Sequence, residues 1–172
     1  MDFQPTEDQK ALQASARRFA RERLAPDYQK REKLGVLDRE LIAEMGRLGF
    51  LGMDLPEELG GMGADAVTTG LIAEELAYGD FNVSAVPVGI SLNAAILIRH
   101  AQPEVVREWV PRMIRGDAVV AICLTEPRGA SDRWLPYNVP EAAMQTRAVK
   151  QGREWVINGR KWFTSGATRA AY

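Results

Sequence analysis

Along the first two thirds of the chain, apolar residues recur at helical spacing. Leu12, Ala16, Phe19, Ala20 and Leu24 form one stripe, and Thr6 with Gln9 ahead of it has the spacing of a capping box. Leu34-Gly35-Val36 breaks the pattern. Asp38 can then cap a second helix carrying Leu41, Ile42, Met45 and Leu48, with Gly49 and Gly52 bracketing its end. The stretch Asp54-Leu55-Pro56-Glu57-Glu58-Leu59-Gly60-Gly61-Met62-Gly63 cannot be regular helix, because proline and clustered glycines punctuate it. A third helix is predicted from Asp65 to Tyr78, with Val67, Leu71, Ala73 and Leu76 apolar. A fourth, Asn82 to Arg99, is apolar nearly all round, which predicts a central place in a bundle. Pro103 opens a fifth helix that Gly116 closes.

After Gly116 the period changes. Ala118–Leu124 is a short continuous apolar run, the pattern of a buried strand. Met144 to Lys150, Glu154 to Ile157 and Arg160 to Thr164 read as further strands, with Gly152 in one turn and Asn158-Gly159 as a tight hairpin. The predicted class is α+β: an all-α bundle over residues 1–118, then the first strands of an incomplete β-barrel-like domain over 119–172. Four short strands hardly cover both faces of a sheet.

Composition narrows the function classes. The chain has 172 residues, 46% hydrophobic, with a net charge of -1, which excludes disorder. No run approaches the roughly 18–20 apolar residues of a membrane span, so an integral membrane protein is not expected. The start, MDFQPTEDQK, lacks the basic and apolar regions of a secretory signal, and a cytoplasmic location is expected. One cysteine and one histidine rule out a disulfide scaffold, a multi-thiolate metal site and a two-histidine zinc site. Charge is uneven: 8 basic and 6 acidic residues over 1–33, 6 and 13 over 34–118, 8 and 4 over 119–172. The positive last third suits phosphate-bearing ligands and equally an ordinary sheet surface. Glu22, Asp27 and Glu32 interrupt the basic run Arg17 to Lys33, so a solvated helix face is favoured over nucleic-acid binding.

Single residues carry little chemistry. His100 reads as a surface or C-terminal histidine, Cys123 as a buried thiol, and Glu57-Glu58 as solvated carboxylates. Trp155, Trp162 and Phe163 read mostly as core packing. Two segments say more. Thr125-Glu126-Pro127-Arg128-Gly129-Ala130-Ser131-Asp132 leaves an apolar strand, turns at proline, and offers small residues and hydroxyls to a ligand. Asn158–Ala167 supplies an aromatic, a hydroxyl and a glycine after a turn. Together such strand ends can grip a flat heterocycle with an anionic tail, although neither matches a Walker A or G-x-G-x-x-G pattern.

At these segments the chain resembles the N-terminal part of an acyl-CoA dehydrogenase. Gly49–Gly63 (GFLGMDLPEELGGMG), Ile122–Pro127 (ICLTEP) and Val156–Lys161 (VINGRK) carry the resemblance, in the family's order. It implies a helical N-terminal domain, a middle β domain and a C-terminal helical domain, with FAD and acyl-CoA between them. Ile122, Cys123, Leu124, Thr125, Ala130 and Ser131 would line the flavin and its pyrophosphate. Thr125 would bond the pyrimidine side, and Ser131 would touch FAD phosphate and substrate pantetheine. Phe163, Thr164 and Ser165 would lie beside the ring, with Phe163 in place of a usual tryptophan and Ser165 in place of a threonine that bonds N5. The implied reaction removes an α-proton from the thioester and a β-hydride to N5, giving a trans-2-enoyl-CoA.

Three departures stand out. Arg128 replaces a common glycine, and Ala130 stands where a glycine amide approaches the cofactor. Arg133 to Glu141 (RWLPYNVPE) has no family counterpart, and reads as a surface loop extension or a reshaped cofactor mouth. The family's catalytic glutamate belongs to the C-terminal domain, so no catalytic residue is assigned in this chain, which reads as truncated and is not expected to turn over substrate alone. The alternative is a non-catalytic split or degenerate module that assembles with a partner chain. Implied partners are acyl-CoA, further copies in a tetramer, and electron-transferring flavoprotein as acceptor, with no nucleic acid and no membrane.

Overall fold

The structure, a computed structural model, describes residues 4–35, 38–127 and 143–167. The chain forms two compact units, residues 1–120 and 121–170.

The first unit is helical. Helix α1 (Glu7–Phe19) starts at the predicted capping box: Thr6 Oγ1 accepts from Gln9 N–H, and the Gln9 side chain accepts from Thr6 N–H. The helix widens into a π-helical turn over Ala20–Leu24, then tightens through Ala25–Asp27 into α2 (Tyr28–Leu34). Asp38 caps α3 (Arg39–Arg47) by accepting from Glu40 N–H, as its position in sequence predicts. Residues Gly52 to Ala64 form a glycine-proline loop tied by its own backbone, with Ala64 N–H to Met53 C=O at 2.7 Å and Gly63 N–H to Leu55 C=O at 2.9 Å. Glu57 and Glu58 are exposed within it. Helices α4 (Ala66–Gly79), α5 (Phe81–His100) and α6 (Pro103–Ile114) follow, and Gly116 at φ +79° ends the last.

Helix α1 packs on α4, and α5 packs on α4 and α6. Leu24, Ile42, Met45, Phe50, Ile72 and Leu76 are among the fully buried side chains of this core. Buried Phe19 and Phe50 meet with ring centroids 5.6 Å apart. Two expectations need correction. Helix α5 is not central: Val83, Pro87, Ile90 and Ala94 are buried, while Phe81, Val88, Leu92 and Ile96 face outward. In α4 the buried face is Thr68, Ile72, Leu76 and Gly79, and Val67 is exposed. The apolar stretch of α5 also has the length and mean hydropathy, 1.7, of a membrane span, contrary to the sequence expectation. Half-buried and exposed apolar residues around Pro87 and Leu92 line an open groove of about 320 Å³, which accounts for part of that outward hydrophobicity.

One polar cluster is buried in this unit. Asp80 Oδ1 accepts from the N–H groups of Asn82 and Val83 and so caps α5, while Oδ2 accepts from Arg31 Nε at 2.7 Å. The same guanidinium donates to Leu24 C=O, where the π-helical turn ends. Gly79 lies against Ala20 so closely that a Cβ would stand 2.7 Å from the Ala20 carbonyl oxygen.

In the second unit the described strands are β1 (Arg147–Gln151) and β2 (Glu154–Asn158), antiparallel with Val149 opposite Val156. Gly152, at φ +62°, lies in the turn between them as expected, while Asn158-Gly159 closes no hairpin because no strand follows it among the described residues. Gly159 serves another need: a Cβ there would come closer than 3.0 Å to the Thr146 side chain. Neither Ala118–Leu124 nor Arg160 to Thr164 forms a strand among the described residues. Trp162, in the second of these runs, instead bonds to Thr125, just after the first, as described next.

Candidate functional site

The predicted site residues Ile122, Cys123, Leu124, Thr125, Phe163, Thr164 and Ser165 all lie in the second unit, and the backbone brings their two segments together. Trp162 N–H donates to Thr125 C=O at 2.8 Å, so the end of the ICLT run lies beside the start of the WFTS run. Ala130, Ser131, Arg128 and the insert Arg133 to Glu141 lie outside the described residues.

The surface so formed is open and apolar. Ile122 is exposed, and Cys123 is a free, exposed thiol rather than the buried one expected from its apolar neighbours. Phe163 is 85% exposed, and Trp155 and Trp162 are exposed too, so the expected core role of these aromatics is corrected. Packing does not fix Phe163, yet its backbone sits at φ +52°, a left-handed conformation that costs a bulky residue about 1–2 kcal/mol. Trp162 meets Phe163 edge-on at 6.1 Å, and the Arg160 guanidinium lies 5.3 Å over the Trp162 ring. Strain at an exposed aromatic marks a position held for something other than packing. A flat ring with polar edges fits a surface of this make-up: exposed aliphatic and aromatic faces, with Thr125, Thr164 and Ser165 supplying hydroxyls in the same two segments.

Beneath that surface is a cluster that sequence reasoning did not single out. The Glu126 carboxylate is buried, and accepts from Lys161 Nζ at 2.8 Å, Thr146 N–H at 3.0 Å and Gln145 N–H at 2.6 Å. Lys161 Nζ also donates to Leu124 C=O at 3.1 Å. The ammonium first, then the Gln145 and Thr146 donors, hold the Glu126 carboxyl far below the usual carboxylate range. Thr146 Oγ1 is buried beside Gly159. The signal available in the sequence was a charged residue at the end of an apolar run, but its partner stands 35 positions away.

His100 is exposed in the last turn of α5. Among the described residues no group of three or more His, Cys, Asp or Glu side chains is placed to hold a metal ion.

A helical unit is thus followed by a β unit whose described residues expose apolar and aromatic side chains beside hydroxyls. Comparison with known proteins makes this specific. The profile described as "Acyl-CoA dehydrogenase, N-terminal domain" matches residues 6–117, and the chain belongs to the acyl-CoA dehydrogenase family. It is 30% identical over 161 residues to the mitochondrial isobutyryl-CoA dehydrogenase of Dictyostelium discoideum, covering 94% of this chain and 37% of that protein. It is 31% identical over 153 residues to the mitochondrial long-chain specific acyl-CoA dehydrogenase of Rattus norvegicus, covering 87% and 33%. A glutaryl-CoA dehydrogenase from Mycobacterium smegmatis, solved in complex with FADH2, superposes with a TM-score of 0.86 at 32% identity, over 96% of this chain and 41% of that one. The chain thus spans about a third of the length of the curated relatives it matches.

Proposed function

We propose that the chain contributes the N-terminal helical domain and the first part of the flavin-binding β unit of an FAD-dependent acyl-CoA dehydrogenase. The observation that carries the reading is the pairing of Thr125 with Trp162, which sets an exposed apolar surface and three hydroxyl side chains on adjoining segments. FAD, when bound, supplies the acceptor for a hydride from the β-carbon of an acyl-CoA thioester. Phe163 and Ile122 offer apolar faces to the ring. The Thr125 and Ser165 hydroxyls offer donors to its polar edge, where fixed dipoles favour added negative charge. Ala130 and Ser131 take the pyrophosphate end on the strength of the sequence resemblance, with Ser131 also toward substrate. No residue here is assigned the base that takes the α-proton. Acyl-CoA as substrate, self-assembly and electron-transferring flavoprotein as acceptor belong to the same proposal.

The test is titration of the 172-residue chain with FAD, read by visible absorbance and by quenching of flavin fluorescence. Thr125→Val and Ser165→Ala should each weaken binding about two- to tenfold, the worth of one neutral hydrogen bond. Bound FAD should also slow thiol labelling at Cys123, the only cysteine in the chain. A chain that leaves the flavin spectrum unchanged, with Cys123 labelled equally fast, overturns the reading.

A further inference from the structure

The two segments of the candidate site share only one backbone hydrogen bond between their described residues, Trp162 N–H to Thr125 C=O. Among the described residues neither runs in a strand, and Glu126 stands in an isolated bridge. The surface needs both in one alignment, and the charged groups next to that bond are placed to set it.

Glu126 and Lys161 adjoin the two partners of that bond, one on each segment. The Lys161 ammonium, 20% exposed, bridges the Glu126 carboxylate and the Leu124 carbonyl. It thereby holds the ICLT run on both sides of Thr125. The other carboxylate oxygen takes Gln145 N–H, and Thr146 N–H completes the set, so the approach to β1 is fixed to the same point. Three donors converge on one buried anion from two different parts of the chain. Gly159, just ahead of Arg160, lets Thr146 come this close.

We propose that Glu126 is a positioning residue: with Lys161 it sets the alignment of Ile122–Thr125 against Trp162–Ser165, and through it the affinity for the flavin. The inference rests on the flavin reading of this surface and adds a residue that touches no ring itself. A charge-assisted set of this kind is directional, and removing one member leaves the others desolvated and unpaired. Glu126→Gln keeps the size but replaces one acceptor with an N–H₂ group, which must face a donor. Lys161→Met keeps the stem and deletes the ammonium. Lys161→Arg keeps a cation.

The experiment follows amide hydrogen exchange and FAD titration in the 172-residue wild type and these three variants. In Glu126→Gln and Lys161→Met, exchange at the Trp162 amide should accelerate about ten- to a hundredfold, with FAD affinity falling by a similar factor. Amides of α4, α5 and β1–β2 should keep their protection. Lys161→Arg should recover most of both effects. Unchanged protection at Trp162 overturns the lock whether or not FAD binds. Protection lost at Trp162 with FAD affinity intact overturns the positioning role, as does loss of protection throughout β1 and β2, the mark of a merely structural residue. A wild type that takes up no FAD sinks the flavin reading and the positioning role with it, while the Trp162 amide still decides whether Glu126 sets the alignment.

Discussion

Asp80 does two jobs that substitution can separate. Its Oδ1 caps α5 through the Asn82 and Val83 amides, and its Oδ2 receives Arg31 from α2. The Asp80 side chain is 2% exposed and that of Arg31 14%, so solvent screens the pair little. Asp80→Ala removes the cap, about 1 kcal/mol, and strands a largely buried guanidinium, which for a broken buried pair costs about 3–5 kcal/mol. Arg31 keeps the Leu24 carbonyl and has a long stem that can turn toward solvent, so the lower end applies and the sum is about 4 kcal/mol. Asn is as good an N-cap as Asp, so Asp80→Asn should retain the cap but turn its N–H₂ toward Arg31 and lose the ion pair, at about 3 kcal/mol. Urea unfolding followed by far-UV circular dichroism reports the helical unit. The expected order of stability is wild type, then Asp80→Asn, then Asp80→Ala. With Arg31→Met, a double-mutant cycle should give a coupling of about 1.5–3 kcal/mol. An Asp80→Ala chain within about 1 kcal/mol of wild type, or Asp80→Asn as damaging as Asp80→Ala, would refute the division of labour.

Gly79→Ala sets helix propensity against sterics: alanine gains about 1 kcal/mol in a helix, but its Cβ would stand 2.7 Å from the Ala20 carbonyl oxygen, so a net loss of about 1–2 kcal/mol is expected in the same urea assay. For pH, the folded-state pKa of Glu126 is depressed, so its contribution is complete above the unfolded carboxylate value of about 4.3 and fades as pH falls below it. Protection at the Trp162 amide, corrected for intrinsic exchange, should therefore be flat from neutral pH down to about 5 and decline in acid. In Glu126→Gln it should be low and without that acid limb, and an acid limb of equal size there would contradict the assignment.

Where the sequence predicts structure well, the cause is local. Thr6 with Gln9, Asp38 before Arg39, Pro103 and Gly116 each act within one turn of chain, and each stands at its helix end as predicted. Errors arise where distant contacts decide. The apolar pattern of α5 is the same on all sides, so it cannot say which side finds neighbours; α4 and α6 cover one face only. Asn158-Gly159 has the local chemistry of a hairpin turn, but no strand follows it among the described residues and Gly159 makes room for Thr146. The Arg31–Asp80 pair spans 49 positions and Glu126–Lys161 spans 35, beyond the reach of periodicity or capping rules.

The candidate site shows the same division in a sharper form. Its residues were legible as motifs, because small, hydroxyl and aromatic side chains cluster in Thr125–Asp132 and Asn158–Ala167. Their exposure was not legible, since Ile122, Cys123 and Phe163 carry the side chains of a core. Apolar residues at the surface cost solvation free energy unless something covers them. Phe163 carries an added backbone cost at φ +52°. Meanwhile one charged pair of the same unit, Glu126 and Lys161, is turned inward, while Arg147, Lys150, Arg153, Glu154 and Arg160 stay exposed. One ion pair inside with aromatic side chains outside is not what folding alone selects in a β unit. On the proposed flavin reading, the buried ion pair aligns the two segments while their apolar side chains stay free to meet a ligand.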